Sequence, residues 1–480
     1  MTSRKYLHSV GVLSDRYFIN HTLYLLLTAL LLVSLIISGC TQSFQEQKSS
    51  PVLFENSDTF ETPEDRVQAP RGDKWWHIFN DRTLDSLITD ALAHNFTIQQ
   101  YYARLKQSRA IAKRTDSRLY PEITGEISQD KFFNRDRVDS NATFGGIRLS
   151  WEIDFWNRLS SAAKAASFDT MASQEELETA ALLLTTEIAT TFFRIIEQQQ
   201  QYLLLTEQIE TNKKTLKILR LRFAQGGSSL IDIYQQQEQL VATQAGLPQV
   251  TSQLIALQYR LSVLLGSNPI QAIFSSTNQL PDLPSVPDFG IPADLLLNRP
   301  DLRYLNNLLE ASGYRIDEAR TDRLPRITVG ARSGIRGSGI RSDELFLSFF
   351  GELIAPIIDW GRRKAEVERT EAVYEELVAR FNQTFLIAIE EVQTALWRET
   401  KQQELIHVKD EQLAVSRSAL LESQKRYLQG VSDYLPVLNS LNSTQRLERE
   451  IITLQSNLLL IRISLYQAIG NTIPLIGPES

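Results

Sequence analysis

The chain holds one cysteine, Cys40, in 480 residues. A disulfide framework and a thiolate metal cage are therefore both excluded. Histidine is almost as scarce: of five, only His77, His94 and His407 lie beyond the first 40 residues, and none has a His or Cys at metal-ligand spacing. No glycine-rich phosphate loop occurs, and nothing assembles a nucleophile, a base and an oxyanion site, so no enzyme, metal or cofactor is expected. Charge is close to balanced, 50 Lys+Arg against 57 Asp+Glu for a net of −7, with nothing that reads as a polyanion-binding surface. Nucleic acid is not an expected partner. What is present is apolar material, 42% of residues, enough for a large core and too much for a disordered chain.

Arg4, Lys5 and Arg16 precede an apolar run from Leu23 to Ile37. Its fifteen residues span about 22 Å as a helix, short of a ~30 Å hydrocarbon layer, and small residues follow. That pattern describes an export signal. The run closes on Ile37-Ser38-Gly39-Cys40, which resembles the lipobox of bacterial lipoproteins, in which the cysteine is acylated and becomes the first mature residue. The alternative is an ordinary signal beside a buried free thiol. Thr41, rather than Asp, follows the cysteine, which in that class implies sorting to the outer membrane. Residues 1–39 are thus expected to be a signal peptide, and 40–72, rich in Ser, Gln, Glu and Pro, a lipid-anchored tether.

The remainder repeats itself at an offset of 204 residues. Pro121 faces Pro325 within Leu119-Tyr120-Pro121 and Leu324-Pro325; Trp156-Asn157-Arg158 faces Trp360-Gly361-Arg362; Gly226 faces Gly430 and Gly266 faces Gly470. One unbroken offset at four anchors makes a tandem duplication, from about Leu84 to Gly266 and Asp288 to Gly470. The expected organisation is repeat 1 at 73–270, a linker at 271–290, repeat 2 at 291–470 and a tail at 471–480.

Each copy reads as helix, two strands, very long helix, helix. Leu84, Leu87, Ile88, Ala91 and Leu92 keep helical spacing within Arg82 to Leu119, and the residue before Pro121 is pushed out of the α region. The period then changes to two: Ile147, Leu149, Trp151, Ile153 and Phe155 alternate with Arg148, Ser150, Glu152 and Asp154. Strands are expected at about 121–133 and 142–155, then 326–336 and 345–358, with long helices at 158–225 and 362–429 and their partners at 229–266 and 433–470. The long helices lack proline and internal glycine, and their 68 residues correspond to about 100 Å, which marks coiled-coil elements.

A four-stranded sheet with an apolar outer face cannot sit in lipid alone, because its edges leave backbone groups unpaired. Three chains would supply twelve strands. With aromatics at the strand ends (Phe132, Phe133, Trp151, Phe155, Trp156, Trp360), the expectation is a mainly α fold with a small β part, the strands joining a trimeric outer-membrane β-barrel. The antiparallel coiled-coil helices would form an α-barrel beneath it. A soluble sandwich is the competing reading.

Three motifs carry a family resemblance. Trp75-Trp76-His77-Ile78-Phe79-Asn80-Asp81, with Leu84, Leu87, Ala91-Leu92 and Asn95, resembles the N-terminal signature of the outer membrane factor family, the TolC-like ducts, in its lipoprotein branch. Ala355-Pro356-Ile357-Ile358-Asp359-Trp360-Gly361-Arg362-Arg363 resembles its second strand-to-helix junction, and Arg426 to Leu435 a helix-hairpin tip. The resemblance implies a homotrimer in the outer membrane of a Gram-negative bacterium, with a helical tunnel across the periplasm. It also implies docking to a periplasmic adaptor and an inner-membrane pump of the RND type, in a tripartite system that expels drugs or other small toxic molecules. A duct for type I protein secretion, and a lipid-anchored coiled-coil tether without a pore, are the alternatives.

Gly226-Gly227-Ser228 and Gly430-Val431-Ser432 interrupt the helices where reversals are needed, and in such ducts these tips dock the adaptor. The resemblance places a gate clamp at Asp232 and Tyr427, while Ser229 and Asp232 also fit a capping box. Asp433 could form an acidic ring around a threefold axis or serve as a solvated N-cap. Ser432 and Pro436 stand where the TolC pattern has Arg and Asp, so part of that charged network is absent. Pro436 is compatible with a helix that starts at Ser432 or Asp433.

Overall fold

In the computed structural model, the helix expected from Arg82 to Leu119 is two helices, α1 (Arg82–His94) and α2 (Phe96–Asp116), broken at Asn95. The break needs no glycine or proline. Asn95 takes extended backbone angles, and its Oδ1 accepts from the N–H groups of Thr97 and Ile98, the orphan donors of the α2 start. Its Nδ2 then reaches the Leu264 carbonyl at 2.8 Å. The structure describes residues 67–68, 74–132, 140–269, 279–283, 287–288, 298–338 and 344–470. The chain divides into Met1–Ser50 and Pro51–Ser480, and every described residue belongs to the second unit. Cys40, the signal segment, the 471–480 tail and most of the tether and linker lie outside the described residues. Of the tether and linker, Val67–Gln68 pair in parallel with Pro287–Asp288.

After a short 3-10 turn at Ser117–Leu119 come β1 (Glu122–Phe132) and β2 (Ser140–Ile153), then α3 (Arg158–Ala224) and α4 (Leu230–Leu264). The second copy gives α5 (Pro300–Thr321), β3 (Arg326–Ser338), β4 (Glu344–Ile354), α6 (Arg362–Leu428) and α7 (Leu435–Ile469). Both long helices run 67 residues, about 100 Å. Strands stop earlier than alternation suggests, at Ile153 and Ile354, because the next residues serve the helix starts. The Asp154 carboxylate accepts from the Leu159 and Ser160 amides at 2.8 and 2.7 Å, and Asp359 does the same for Gly361 and Arg363. The last helix starts at Leu435, not at Ser432 or Asp433. Tyr434 is its N-cap residue, the Tyr434 carbonyl accepts from Val437 and Leu438, and Pro436 falls inside the first turn, where its missing N–H has no partner to lose.

The sheet runs β1-β2-β3-β4, antiparallel throughout, and its centre joins the two copies: Ile147 pairs with Ser333 and Trp151 with Val329. The copies are therefore interleaved. Outside the sheet, α3 of copy 1 packs along α5 of copy 2 through small residues. Ala165, Ala166 and Ala172 on α3, and Ala311, Ser312 and Gly313 on α5, are buried, and Phe168 stacks on Tyr314 at 5.7 Å. Arg303 ties the pair by bonding Glu175 at 2.7 Å and Glu178 at 2.5 Å.

The largest core cluster draws in the N-terminal aromatics. Trp75, Trp76 and Phe79, on a one-turn 3-10 element, are buried against Ile88, Phe193 and Tyr466; Trp75 stacks on Tyr466 at 5.9 Å. An 18-residue stretch of α3 is apolar enough to cross a membrane, but 72% of it is buried inside the protein. It is the core of the bundle, which fits the wide apolar stripe of a helix with neighbours on two sides.

The 204-residue offset survives in three dimensions. Arg299, the counterpart of Asn95, takes the same extended angles and donates to Ala468, the counterpart of Leu264, at 2.7 Å. Gly266 and Gly470 both have positive φ and sit against these locks: a Cβ would come within 2.6 Å of the His94 carbonyl in one copy and of the Arg299 side chain in the other.

Candidate functional site

Two regions carry the geometry of function, the sheet and the helix-hairpin tips. On the sheet, odd-numbered residues make one apolar face: Ile127 is 89% exposed and Phe349 79%, and Ile123, Ile147, Leu345, Leu347 and Leu353 join them across the register. Even positions make a polar face with Glu122, Glu126, Arg148, Arg332 and Arg336. Among the described residues, β1 and β4 each have one unpaired edge. An apolar face of this extent exposed to water would be costly, and open edges in lipid would leave backbone groups unsatisfied. Both problems vanish if copies of the sheet close edge to edge.

The strand-end aromatics divide. Trp360 is 96% exposed and Phe155 and Ile357 are exposed near it, as an interfacial belt requires. Trp156 belongs to the junction instead: its indole N–H donates to the Pro325 carbonyl at 2.8 Å. Trp151 likewise anchors to the Leu119 carbonyl at 2.9 Å.

At the tips, both reversals use the same device. Gly226 and Gly430 have φ of +76° and +72°, the N–H of Gly227 returns to the Arg222 carbonyl, and that of Val431 to Arg426. These bonds satisfy carbonyls at the helix ends. Ser229 and Asp232 form the capping box, with Ser229 Oγ accepting from the Asp232 amide and Asp232 Oδ2 accepting from the Ser229 amide at 3.0 Å. This geometry alters the expected clamp. Tyr427 does not touch Asp232 directly; its hydroxyl donates to Ser228 Oγ at 3.2 Å, and Ser228 donates to Asp232 Oδ2 at 3.0 Å. The carboxylate is held at its own helix start, so the serine bridges the gap. The Arg222 guanidinium covers the Tyr427 ring at 4.9 Å. Asp433 is exposed and caps nothing, since the helix begins beyond it at Leu435.

A buried bond between the two hairpins, close to their tips, involves a residue that sequence reasoning missed. Tyr434, 1% exposed, packs edge-on against Tyr427 at 5.3 Å and donates to Gln236 Oε1 at 2.5 Å. Burial pushes its phenol above the ordinary tyrosine range, and the nearby Tyr427 and Asp232 add to this. Gln236 donates to the Asn212 carbonyl at 3.2 Å, and from there a buried amide ladder climbs between α3, α4 and α7. Asn212 and Gln445 exchange bonds at 3.1 and 3.3 Å, Gln208 donates to the Gln445 carbonyl, and Gln201 to the Arg449 carbonyl at 2.7 Å. The signal was there: Gln201, Gln208 and Asn212 stand at intervals of seven and four on an otherwise apolar stripe. Polar side chains at such positions fix register between helices.

Comparison with known proteins agrees with this geometry. The family described as Outer membrane efflux protein matches the chain twice, over residues 87–267 and 291–471, an offset of 204. The pyoverdine export outer membrane protein OpmQ of Pseudomonas putida is 27% identical over 421 residues, 84% of this chain and 89% of that protein. The cation efflux system protein CusC of Escherichia coli is 24% identical over 408 residues, 82% and 88% of the two chains. Among solved structures, the Campylobacter jejuni CmeC outer membrane channel superposes with a TM-score of 0.80 at 18% identity, covering 89% of this chain and 95% of that one. VceC of Vibrio cholerae gives 0.77 at 22%, covering 82% and 98%. This is the fold of channels in which three protomers pool their strands into one barrel and their helices into one cylinder, the architecture expected from the alternation and the repeat. The chain belongs to the outer membrane efflux protein family and is an efflux channel of the Gram-negative outer membrane.

Proposed function

We propose that three copies of this chain form the exit duct of a tripartite efflux system, taking small molecules from an inner-membrane pump of the RND type through a periplasmic adaptor to the exterior. The observation that carries the reading is the sheet. Its apolar face and two open edges in one chain are complementary demands, met together only by closure with other copies into a barrel in lipid. Pyoverdine in the name of one relative and cations in that of another support small solutes as the cargo.

Cys40 is the proposed acylation site, tethering the mature chain to the outer membrane. Gly226, Gly227 and Ser228, with Gly430, Val431 and Ser432, form the surface offered to the adaptor. Tyr427, Ser228 and Asp232 act as a relay that holds the two hairpins together, and Asp433, repeated around the threefold axis, lines the mouth with carboxylates. A hydrogen bond across a seam can be broken and remade without rebuilding a core, which suits a gate. Deletion of the gene tests the assignment. The expected result is sensitivity to small toxic compounds with unchanged protein secretion; loss of a secreted polypeptide with unaltered sensitivity contradicts it.

A further inference from the structure

The polar face of the sheet contains an arrangement that barrel stability does not call for. Arg148 on β2 lies directly opposite Arg332 on β3, and like charges in that position destabilise a ladder. Arg332 pairs with Glu126 at 2.9 Å, Arg336 stands opposite Glu344 in the register, and Arg148 stands opposite Arg332 and Thr124 with no carboxylate directly across from it. Each guanidinium lies over a phenylalanine ring: Arg332 over Phe144 at 4.2 Å, Arg336 over Phe346 at 5.1 Å and Arg148 over Phe350 at 5.5 Å.

The rings are accommodated by missing side chains. A Cβ at Gly146 or Gly334 would lie 2.8 Å from the Phe144 ring, and one at Gly330 would lie 2.3 Å from Phe350. The glycines therefore let the rings lie flat on the strand backbone, and the rings in turn hold the guanidinium groups. A guanidinium stacked by its face keeps its N–H edge available, the edge that binds carboxylate and sulfonate groups in pairs. The opposite face of the sheet is apolar, so in a closed barrel this face lines the lumen.

We infer that Arg148, Arg332 and Arg336 form an anion-binding girdle inside the barrel, which takes solutes that combine an anionic group with an aromatic or apolar body. This rests on the duct reading, since closure is what brings three sets of arginines around one lumen. Across the three rows from Phe144 to Arg148, three guanidinium groups meet two glutamates, Glu126 and Glu344, an excess of one positive charge per chain although the whole protein carries a net charge of −7. The girdle adds a filter at the exit end: anionic aromatics dwell there, and cationic ones pass without pausing.

The test uses the purified, detergent-solubilised protein and the trisulfonated pyrene dye pyranine, with ethidium as the cationic counterpart. Fluorescence polarisation reports binding, and planar-bilayer conductance of the same preparation reports the duct. Pyranine is expected to bind and to weaken with added salt, with ethidium unable to displace it. Arg148→Gln with Arg336→Gln is expected to weaken pyranine about tenfold. Glu126→Gln removes the carboxylate paired with Arg332 and is expected to tighten it severalfold; arginines with a purely structural role predict no tightening. Equal binding of both dyes, or no change in either variant, overturns the girdle. Protein that conducts yet ignores pyranine refutes the girdle alone, whereas protein that binds pyranine yet never conducts refutes the duct and leaves the anion site standing.

Discussion

Replacing Tyr434 by phenylalanine separates the hydroxyl from the packing at the hairpin tips. The ring stays, so its edge contact with Tyr427 at 5.3 Å is kept, while the bond to Gln236 Oε1 is lost. Gln236 is 0% exposed, so its oxygen is left without a donor and without water, which costs about 1–3 kcal/mol. Because the bond joins the hairpin after α3 to the hairpin after α6, it exists only while the two are together. Its loss therefore shifts the closed-to-open ratio by roughly 5- to 150-fold per protomer. Tyr427→Phe removes the bond to Ser228, which lies nearer solvent, and should shift it less, by about 2- to 10-fold for ~0.5–1.5 kcal/mol.

Open probability in single-channel recordings is the assay, and the order of the two variants is the result. Equal behaviour of both variants and the parent protein, or a larger effect at Tyr427, would refute the reasoning. The pH dependence follows from the same burial. A phenol whose folded pKa is raised contributes its full stability below the ordinary tyrosine value of about 10 and loses it only as pH rises through the raised value. This lock should be insensitive to pH between about 6 and 9 and should weaken only in strong alkali.

Elsewhere, Glu399 and Arg462 form an ion pair with both side chains 0% exposed and the Arg462 Nε 2.9 Å from Glu399 Oε2; Glu399→Ala should destabilise by about 3–5 kcal/mol, read from thermal unfolding. Glu399→Leu with Arg462→Met should recover most of that loss, and failure to do so would mean that the pair is more than mutual neutralisation. Burial raises the Glu197 carboxyl above the usual range, against the lowering effect of its bond from Thr453, so its stability contribution is complete only at acid pH and falls as pH rises. Glu197→Gln should thus raise the melting temperature at pH 8 and change it little at pH 4. Trp75→Ala empties a site that is 1% exposed against Tyr466, and a loss of about 3–5 kcal/mol is expected in denaturant unfolding.

Much of the fold was legible because duplication multiplies weak signals. Alternation at Ile147 to Ile153 alone is thin support for a strand, but Pro121 and Pro325, Gly226 and Gly430, and Gly266 and Gly470 all demand one layout, and the structure has it. The long helices were evident because nothing between Arg158 and Ala224, or between Arg362 and Leu428, can end them. The break at Asn95 was not evident, since a capping asparagine in a helical pattern reads as one more polar position until its amide finds the Leu264 carbonyl 169 residues away. The same holds at the tips. The resemblance points to a clamp at Asp232 and Tyr427, yet the capping box holds the carboxylate and Ser228 carries the contact. Tyr434 leaves no such signal, because its partner Gln236 looks solvated in the sequence and is buried between Asn212 of its own copy and Tyr434 of the other. Side chains whose polarity is satisfied across a repeat boundary leave no local trace.

The account stands on closure of the sheet by neighbouring copies. Native mass spectrometry of the purified protein released from detergent measures this most directly. Three chains per particle, together with a β signal that survives mild heating, is the predicted result. A monomer that retains its β signal would contradict it.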